Sequence, residues 1–105
     1  IARVSYNIKY TDKVIDLSDA FLEQHGLVLL KTRKKIRGFT NGMVYQFDHY
    51  LNGEPFRKWI AVFGNDAQVA CVVGLYPRVR DHFFSDIMLR IALFSDLDYT
   101  QSAYD

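Results

Sequence analysis

The first ten residues alternate between apolar and polar side chains. From Ala2 onward, apolar or aromatic residues occupy the even positions and polar residues the odd ones. This period of two is typical of a β-strand with one buried face. We therefore expect a first strand from Ile1 to Tyr10.

A short helix is expected next, from about Leu17 to His25. Asp16 can accept hydrogen bonds from the free amides of its first turn. Phe21 and Leu22 belong to an apolar stripe that must pack on another element. Gly26 can adopt the left-handed conformation that ends many helices.

The clearest local pattern predicts a β-hairpin. An extended stretch from Leu27 to Arg37 and a turn over Gly38 to Gly42 lead into it. Its strands are expected over Met43 to Leu51 and Pro55 to Phe63, because Asn52-Gly53 between them favours a two-residue turn with positive φ at both positions. This register pairs Asp48 with Arg57, Tyr45 with Ile60 and Met43 with Val62.

A second reversal is expected at Gly64-Asn65-Asp66, followed by a strand that ends at Pro77, which has no backbone N–H. With Asn65-Asp66 as a two-residue loop, the next strand has a defined register. It pairs Val62 with Val69, Ile60 with Cys71 and Lys58 with Val73.

The expected sheet has two apolar faces. One carries Tyr45 and Ile60, and we expect the closing helix to rest on it. The other carries Trp59 and Phe63 and is too apolar to remain exposed to water. We therefore expect other elements, of this chain or of a partner, to pack on both faces.

The closing helix is expected from about Val79 to Phe94, and the tail from Ser95 to Asp105 is expected to be short strand or coil. Apolar residues recur along the helix at helical spacing. We expect them to form its core contact: Phe83, Phe84, Ile87, Met88, Ile91 and Phe94. The order of elements predicts an α+β domain, an antiparallel meander of about five or six strands with a short N-terminal helix and a long C-terminal helix.

Composition bounds the class of protein. The chain of 105 residues is expected to be one domain, and its net charge of +1 does not favour a general polyanion binder. The single cysteine, Cys71, permits no internal disulfide and is expected to be buried. The longest run without charged or strongly polar residues, Val69 to Pro77, is far shorter than the roughly 20 apolar residues of a membrane helix. Because the strand pattern already runs from Ile1, we expect further residues upstream, and the location, cell envelope or cytoplasm, stays open.

The stretch from Lys31 to Arg37 holds five cations in seven residues. On a strand, alternate residues project from one side at about 3.3 Å per residue. Such a row can bind phosphates or an acidic protein surface, but cations on an edge strand also prevent sheets from aggregating. Nucleic acid is disfavoured because no aromatic residues interleave the cations. The candidate anion-binding residues are Lys31, Arg33, Lys35 and Arg37.

Trp59 is the candidate centre of a partner-binding surface. Together with Phe63 it is either covered within the chain by the N-terminal helix or presented to a partner, because a tryptophan is a frequent interface anchor. The expected pair of Asp48 and Arg57 would flank such a contact.

The sequence offers no catalytic constellation. His82 and Asp86 stand one helical turn apart but have no third metal ligand in view. Asp48 and His49 are neighbours on a strand and point to opposite faces. Cys71 lies on the expected core face, where a thiolate is unfavourable. No nucleophile elbow, phosphate loop or dinucleotide motif occurs, so we expect no enzyme activity, no cofactor and no bound metal.

The stretch from Gly38 to Leu93 resembles the PsbP-like and Mog1-like superfamily, in particular its bacterial members. It combines a glycine-flanked turn, an "NGE" hairpin, "RKWIAVFG", "VACVVGLYP" and an amphipathic helix. The resemblance implies an α/β/α sandwich. It also implies an accessory role, because family members known by role assist photosystem oxygen evolution or nuclear transport and act by surface binding.

We therefore expect a non-catalytic accessory or adaptor domain that binds another protein, or a second copy of itself, through a sheet face or edge. The alternative is a binder of a small ligand or polyanion that uses the cationic strand. Binding that weakens strongly with salt would favour the alternative, whereas binding lost in Trp59→Ala or Phe63→Ala would favour the adaptor.

Overall fold

The structure, a computed structural model, describes residues 1–7, 16–34 and 41–94. The far ends of the expected first and second strands, residues 38–40 of the first expected turn and the tail after Phe94 lie outside the described residues. The elements in chain order are β1 (Ala2–Tyr6), α1 (Asp19–Gln24), β2 (Leu27–Lys34), β3 (Asn41–Leu51), β4 (Glu54–Gly64), β5 (Val69–Pro77), a 3-10 turn (Arg78–Arg80) and α2 (Asp81–Phe94).

The five strands form one antiparallel sheet in the order β1-β5-β4-β3-β2. From β2 to β5 each strand pairs with the next, while β1 pairs with β5 at the far edge. The predicted α+β class, the antiparallel meander and the C-terminal helix are therefore confirmed.

The first predicted hairpin is confirmed with its register. Asp48 lies opposite Arg57 and Tyr45 opposite Ile60. Asn52 and Gly53 have φ values of 52° and 79°, as a turn with two left-handed residues requires.

The predicted register between β4 and β5 is wrong by two residues. Val62 pairs with Cys71, not with Val69, and Gly64 pairs with Val69. The loop is longer because the Asn65 side chain organises it: its Oδ1 accepts hydrogen bonds from the amides of Ala67 and Gln68 at 2.9 and 2.8 Å. Since side chains alternate with a period of two, this slip leaves every residue on its predicted face.

The short helix α1 begins two residues later than expected, at Asp19. Ser18, not Asp16, is the N-cap, and its Oγ accepts a hydrogen bond from the Phe21 amide at 3.3 Å. Asp16 instead accepts one from the Ser18 amide at 2.9 Å. Gly26 has a φ of 67°, which confirms the predicted left-handed end of the helix.

The closing helix lies on the opposite face of the sheet from the one predicted. Met88 and Ala92 of α2 pack with Trp59, Phe63 and their neighbours, not with the Tyr45 and Ile60 face. Small residues on this face let the helix approach closely: Ala61, Ala70 and Gly74. A Cβ atom added to Gly74 would collide with the Met88 side chain.

The other face carries a second cluster, in which Val62, Val69 and Cys71 are buried and Tyr45 and Ile60 are partly buried. Cys71 is a free thiol, and its predicted burial is confirmed.

The helix α2 is apolar on two sides, and only one of them faces the sheet. Met88 is 3% exposed, whereas Phe83 and Ile87, predicted to lie in the core, are 59% and 49% exposed. That prediction is wrong for both residues. Neither described helix has the length and apolar character of a membrane-crossing segment.

Candidate functional site

An ion-pair network holds the start of α2 to the sheet. Arg57 Nε donates to Asp48 Oδ1 at 3.0 Å, as the hairpin register predicts. A second nitrogen of Arg57 lies 3.3 Å from Asp81 Oδ2, and Arg78 lies 3.3 Å from the other oxygen of Asp48. Two carboxylates and two guanidinium groups therefore join β3, β4, the 3-10 turn and α2.

Two buried aromatic residues extend this network toward the core. Trp59 Nε1 donates to the Tyr76 hydroxyl at 2.8 Å, and that hydroxyl donates to Asp81 Oδ1 at 2.6 Å. Burial, followed by the hydrogen bond to Asp81, raises the pKa of Tyr76 above its ordinary value. Because the buried Trp59 indole N–H and Tyr76 hydroxyl both have hydrogen-bond partners, these two hydrogen bonds in series anchor the helix.

The network places the proposed partner-binding residues inside the molecule. Trp59 is 7% and Phe63 is 0% exposed, and residues of α2 pack against both. The sequence did not decide which element covers Trp59 and Phe63. In the structure the C-terminal helix covers them, and not the N-terminal helix. Asp48 and Arg57 are also mostly buried, because they hold the helix in place.

His49 lies on the opposite face from Asp48, so these neighbours cannot act on one atom. Its Nδ1 is buried and has no hydrogen-bond partner among the residues that the structure describes. Burial first, and then the charges of Lys58 and His25, lower its pKa. A histidine whose pKa is lower in the folded state stabilises the fold above its unfolded pKa, and the unfolded chain binds the proton first as the pH falls.

We expect the free energy of unfolding to decrease as the pH falls below about 6.5, the ordinary histidine pKa. Urea titrations at stepped pH values measure this change. In His49→Gln the decrease should be smaller than in the wild type. Identical profiles for His49→Gln and the wild type would contradict the assignment.

The candidate metal pair, His82 and Asp86, lies in α2. His82 packs its ring against Phe83 at a centroid distance of 4.3 Å. In the part of the chain that the structure describes, no group of three His, Cys, Asp or Glu side chains is placed to hold a metal ion.

A small cavity, which we call the edge cavity, lies between β2 and α2. The register of β2 places Lys31 and Arg33 on the face that α2 covers, opposite Gln46 and Val44. Lys35 and Arg37 lie outside the described residues. The cavity has a volume of about 80 Å³ and is lined by Lys31, Arg33, Val44, Gln46, Trp59 and Leu89. Sequence reasoning found the cations but missed Gln46 and Leu89, because their positions depend on which face the helix covers.

The outer side of α2 carries an exposed apolar surface, which we call the α2 patch: Val79, Phe83, Phe84 and Ile87. Val79 is 74% exposed, and Phe83 and Ile87 follow it at four-residue spacing. Arg80, Phe83, Phe84 and Ile87 line a shallow groove of about 390 Å³. The sequence holds a signal for this patch: the helix has more apolar positions than one packed face can bury.

Comparisons with protein-family models, with curated proteins and with solved structures gave no match to this chain. The resemblance to the PsbP-like and Mog1-like superfamily stays a prediction.

Proposed function

We propose that this chain is a non-catalytic adaptor domain that binds another protein through the α2 patch. The proposal rests on the exposure of Phe83 and Ile87, which lie on the outer side of an anchored helix. Fully burying one such side chain contributes about 1.5–3 kcal/mol. Large aromatic anchors of this kind dominate many protein interfaces.

The chemistry of the groove favours one kind of partner. Arg80 is the charged residue that lines it, and no carboxylate of the described chain lies within 4 Å of the Arg80 guanidinium. An amphipathic helix can place apolar side chains along Phe83 and Ile87 and a carboxylate beside Arg80. The proposed occupant is therefore an acidic amphipathic helix of another protein.

The role agrees with the resemblance noted in the sequence, whose members act by surface binding. We include in the proposal the α/β/α arrangement that this resemblance implies, with helical cover on both faces of the sheet. Asp48, Arg57, Trp59 and Phe63 then support the surface from below by fixing α2, and do not themselves contact the partner.

The test is selection from a displayed library of amphipathic helical peptides. The immobilised wild-type domain should enrich peptides with apolar residues at four-residue spacing and a nearby Asp or Glu. A double variant, Phe83→Ser with Ile87→Ser, should lose this enrichment. A control double variant at two exposed positions of α1, Glu23→Ser with Gln24→Ser, should keep it.

Two results would overturn the proposal. One is the same enriched set with and without Phe83 and Ile87. The other is a wild-type homodimer, measured by sedimentation, that the Phe83→Ser and Ile87→Ser double variant converts to monomer, because the patch would then bind a second copy of the chain.

A further inference from the structure

We infer that the edge cavity binds a small organic anion, namely a carboxylate attached to a short unbranched apolar chain. This site is independent of the α2 patch, since the residues that line the two do not overlap. The inference therefore goes beyond the proposed adaptor function.

Two cations define the mouth of the cavity. Lys31 and Arg33 are two residues apart on the same strand face, so their backbone positions are about 7 Å apart. Neither has a carboxylate within 4 Å among the residues that the structure describes. One carboxylate between them would form charge-assisted hydrogen bonds with both side chains.

The interior of the cavity is mostly apolar. Val44 and Trp59 are buried, and Leu89 of α2 forms the opposite wall. The indole N–H of Trp59 already donates to Tyr76, so the ring offers its apolar surface to a ligand. Gln46 is the neutral polar residue in the lining, and its amide can donate to the second carboxylate oxygen.

The volume selects the size of the ligand. At about 80 Å³, the cavity has roughly half the volume of an engineered protein cavity of about 150 Å³ that binds benzene. The comparison favours an apolar group smaller than an aromatic ring or a nucleotide base. A chain of a few methylene groups fits, with its carboxylate at the open, cationic end.

A purely protective role for the cations explains less of the arrangement. Lysine and arginine on an edge strand prevent pairing with other sheets wherever they point along that edge. A protective role does not require the two cations to line a cavity together with a buried tryptophan and a glutamine amide. It also predicts no dependence of the Trp59 environment on a dissolved anion.

Fluorescence of Trp59 tests the inference directly, because it is the single tryptophan of the chain. Butanoate should give a saturable spectral change with a Kd on the order of 1 mM, as a weak ligand of few atoms requires. Butan-1-ol and butylammonium, which match its size without its charge, should give none. Added salt should weaken the binding of butanoate.

The double variant Lys31→Gln with Arg33→Gln should weaken butanoate binding by at least about tenfold, the effect of losing charged hydrogen bonds. Both side chains are exposed, so the fold should survive, and circular dichroism checks this. Arg90→Gln, an exposed cation on α2 outside the cavity lining, is the matched control and should bind like the wild type. Gln46→Leu should weaken binding without changing the net charge.

Three outcomes would overturn the inference: no saturable change with butanoate, equal binding of butan-1-ol, or unchanged affinity in the double variant. A further adverse result is equal affinity for inorganic phosphate, since it would show general attraction of anions without use of the apolar interior. None of these results bears on peptide binding at the α2 patch.

Discussion

Replacing Phe63 with alanine should lower the free energy of unfolding by about 3–5 kcal/mol. Phe63 is fully buried on β4 beneath α2, and the Arg3 guanidinium lies 5.4 Å from its ring centroid. Truncation removes the buried ring and leaves a cavity that the sheet cannot close. Since small domains have a total stability of about 5–15 kcal/mol, urea unfolding followed by circular dichroism should show a large loss.

Phe83→Ala is the matched control for this measurement. The same chemical change on the outer side of α2, at a residue that is 59% exposed, should alter the stability by no more than about 0.5 kcal/mol. The reverse ranking would show that α2 turns its Phe83 side toward the sheet. It would remove the α2 patch and the proposed function together.

Replacing Asp48 with alanine should lower the free energy of unfolding by about 2–4 kcal/mol. Asp48 accepts from Arg57 and pairs with Arg78, and the side chains of Asp48 and Arg57 are only 14% and 15% exposed. Removing the carboxylate leaves the largely buried Arg57 guanidinium with Asp81 as its remaining partner in the network. The cost comes mainly from this poorly compensated charge.

The control for Asp48 is Asp86→Ala, at an exposed position on α2. That variant should change the stability by no more than about 0.5 kcal/mol. If Asp48→Ala were equally mild, or if its effect disappeared in high salt, the ion pair would behave as an ordinary surface pair of about 0–1 kcal/mol. The start of α2 would then be held by the Tyr76 and Asp81 contacts alone.

The sequence predicts the fold best where a short segment strongly favours one backbone conformation. Asn52-Gly53 accepts a turn that few other dipeptides tolerate, so its hairpin and register are both confirmed. The loop after Gly64 is different, because the Asn65 side chain bonds two following amides and lengthens the loop. Such capping by a side chain competes with a two-residue turn, and spacing alone does not separate them.

The face covered by α2 was not predictable from periodicity, because the sheet is apolar on both faces and the helix on two sides. The sizes of the residues could have indicated which face the helix covers. The small residues Ala61, Ala70 and Gly74 share one face, and a helix can approach that face closely. The pairing of Asp48 with Arg57 followed from the hairpin register. The roles of Tyr76 and Asp81, and the edge cavity, follow only once the helix is placed.

The pairing of β1 with β5 has a consequence for aggregation. β5 is rich in β-branched residues, and β1 occupies its outer hydrogen-bonding edge from Val69 to Val73. If β1 detaches, that edge becomes a template on which an identical strand from another molecule can add. By pairing with β5, the five residues of β1 block strand addition from another molecule at this edge, although they contribute little to the core.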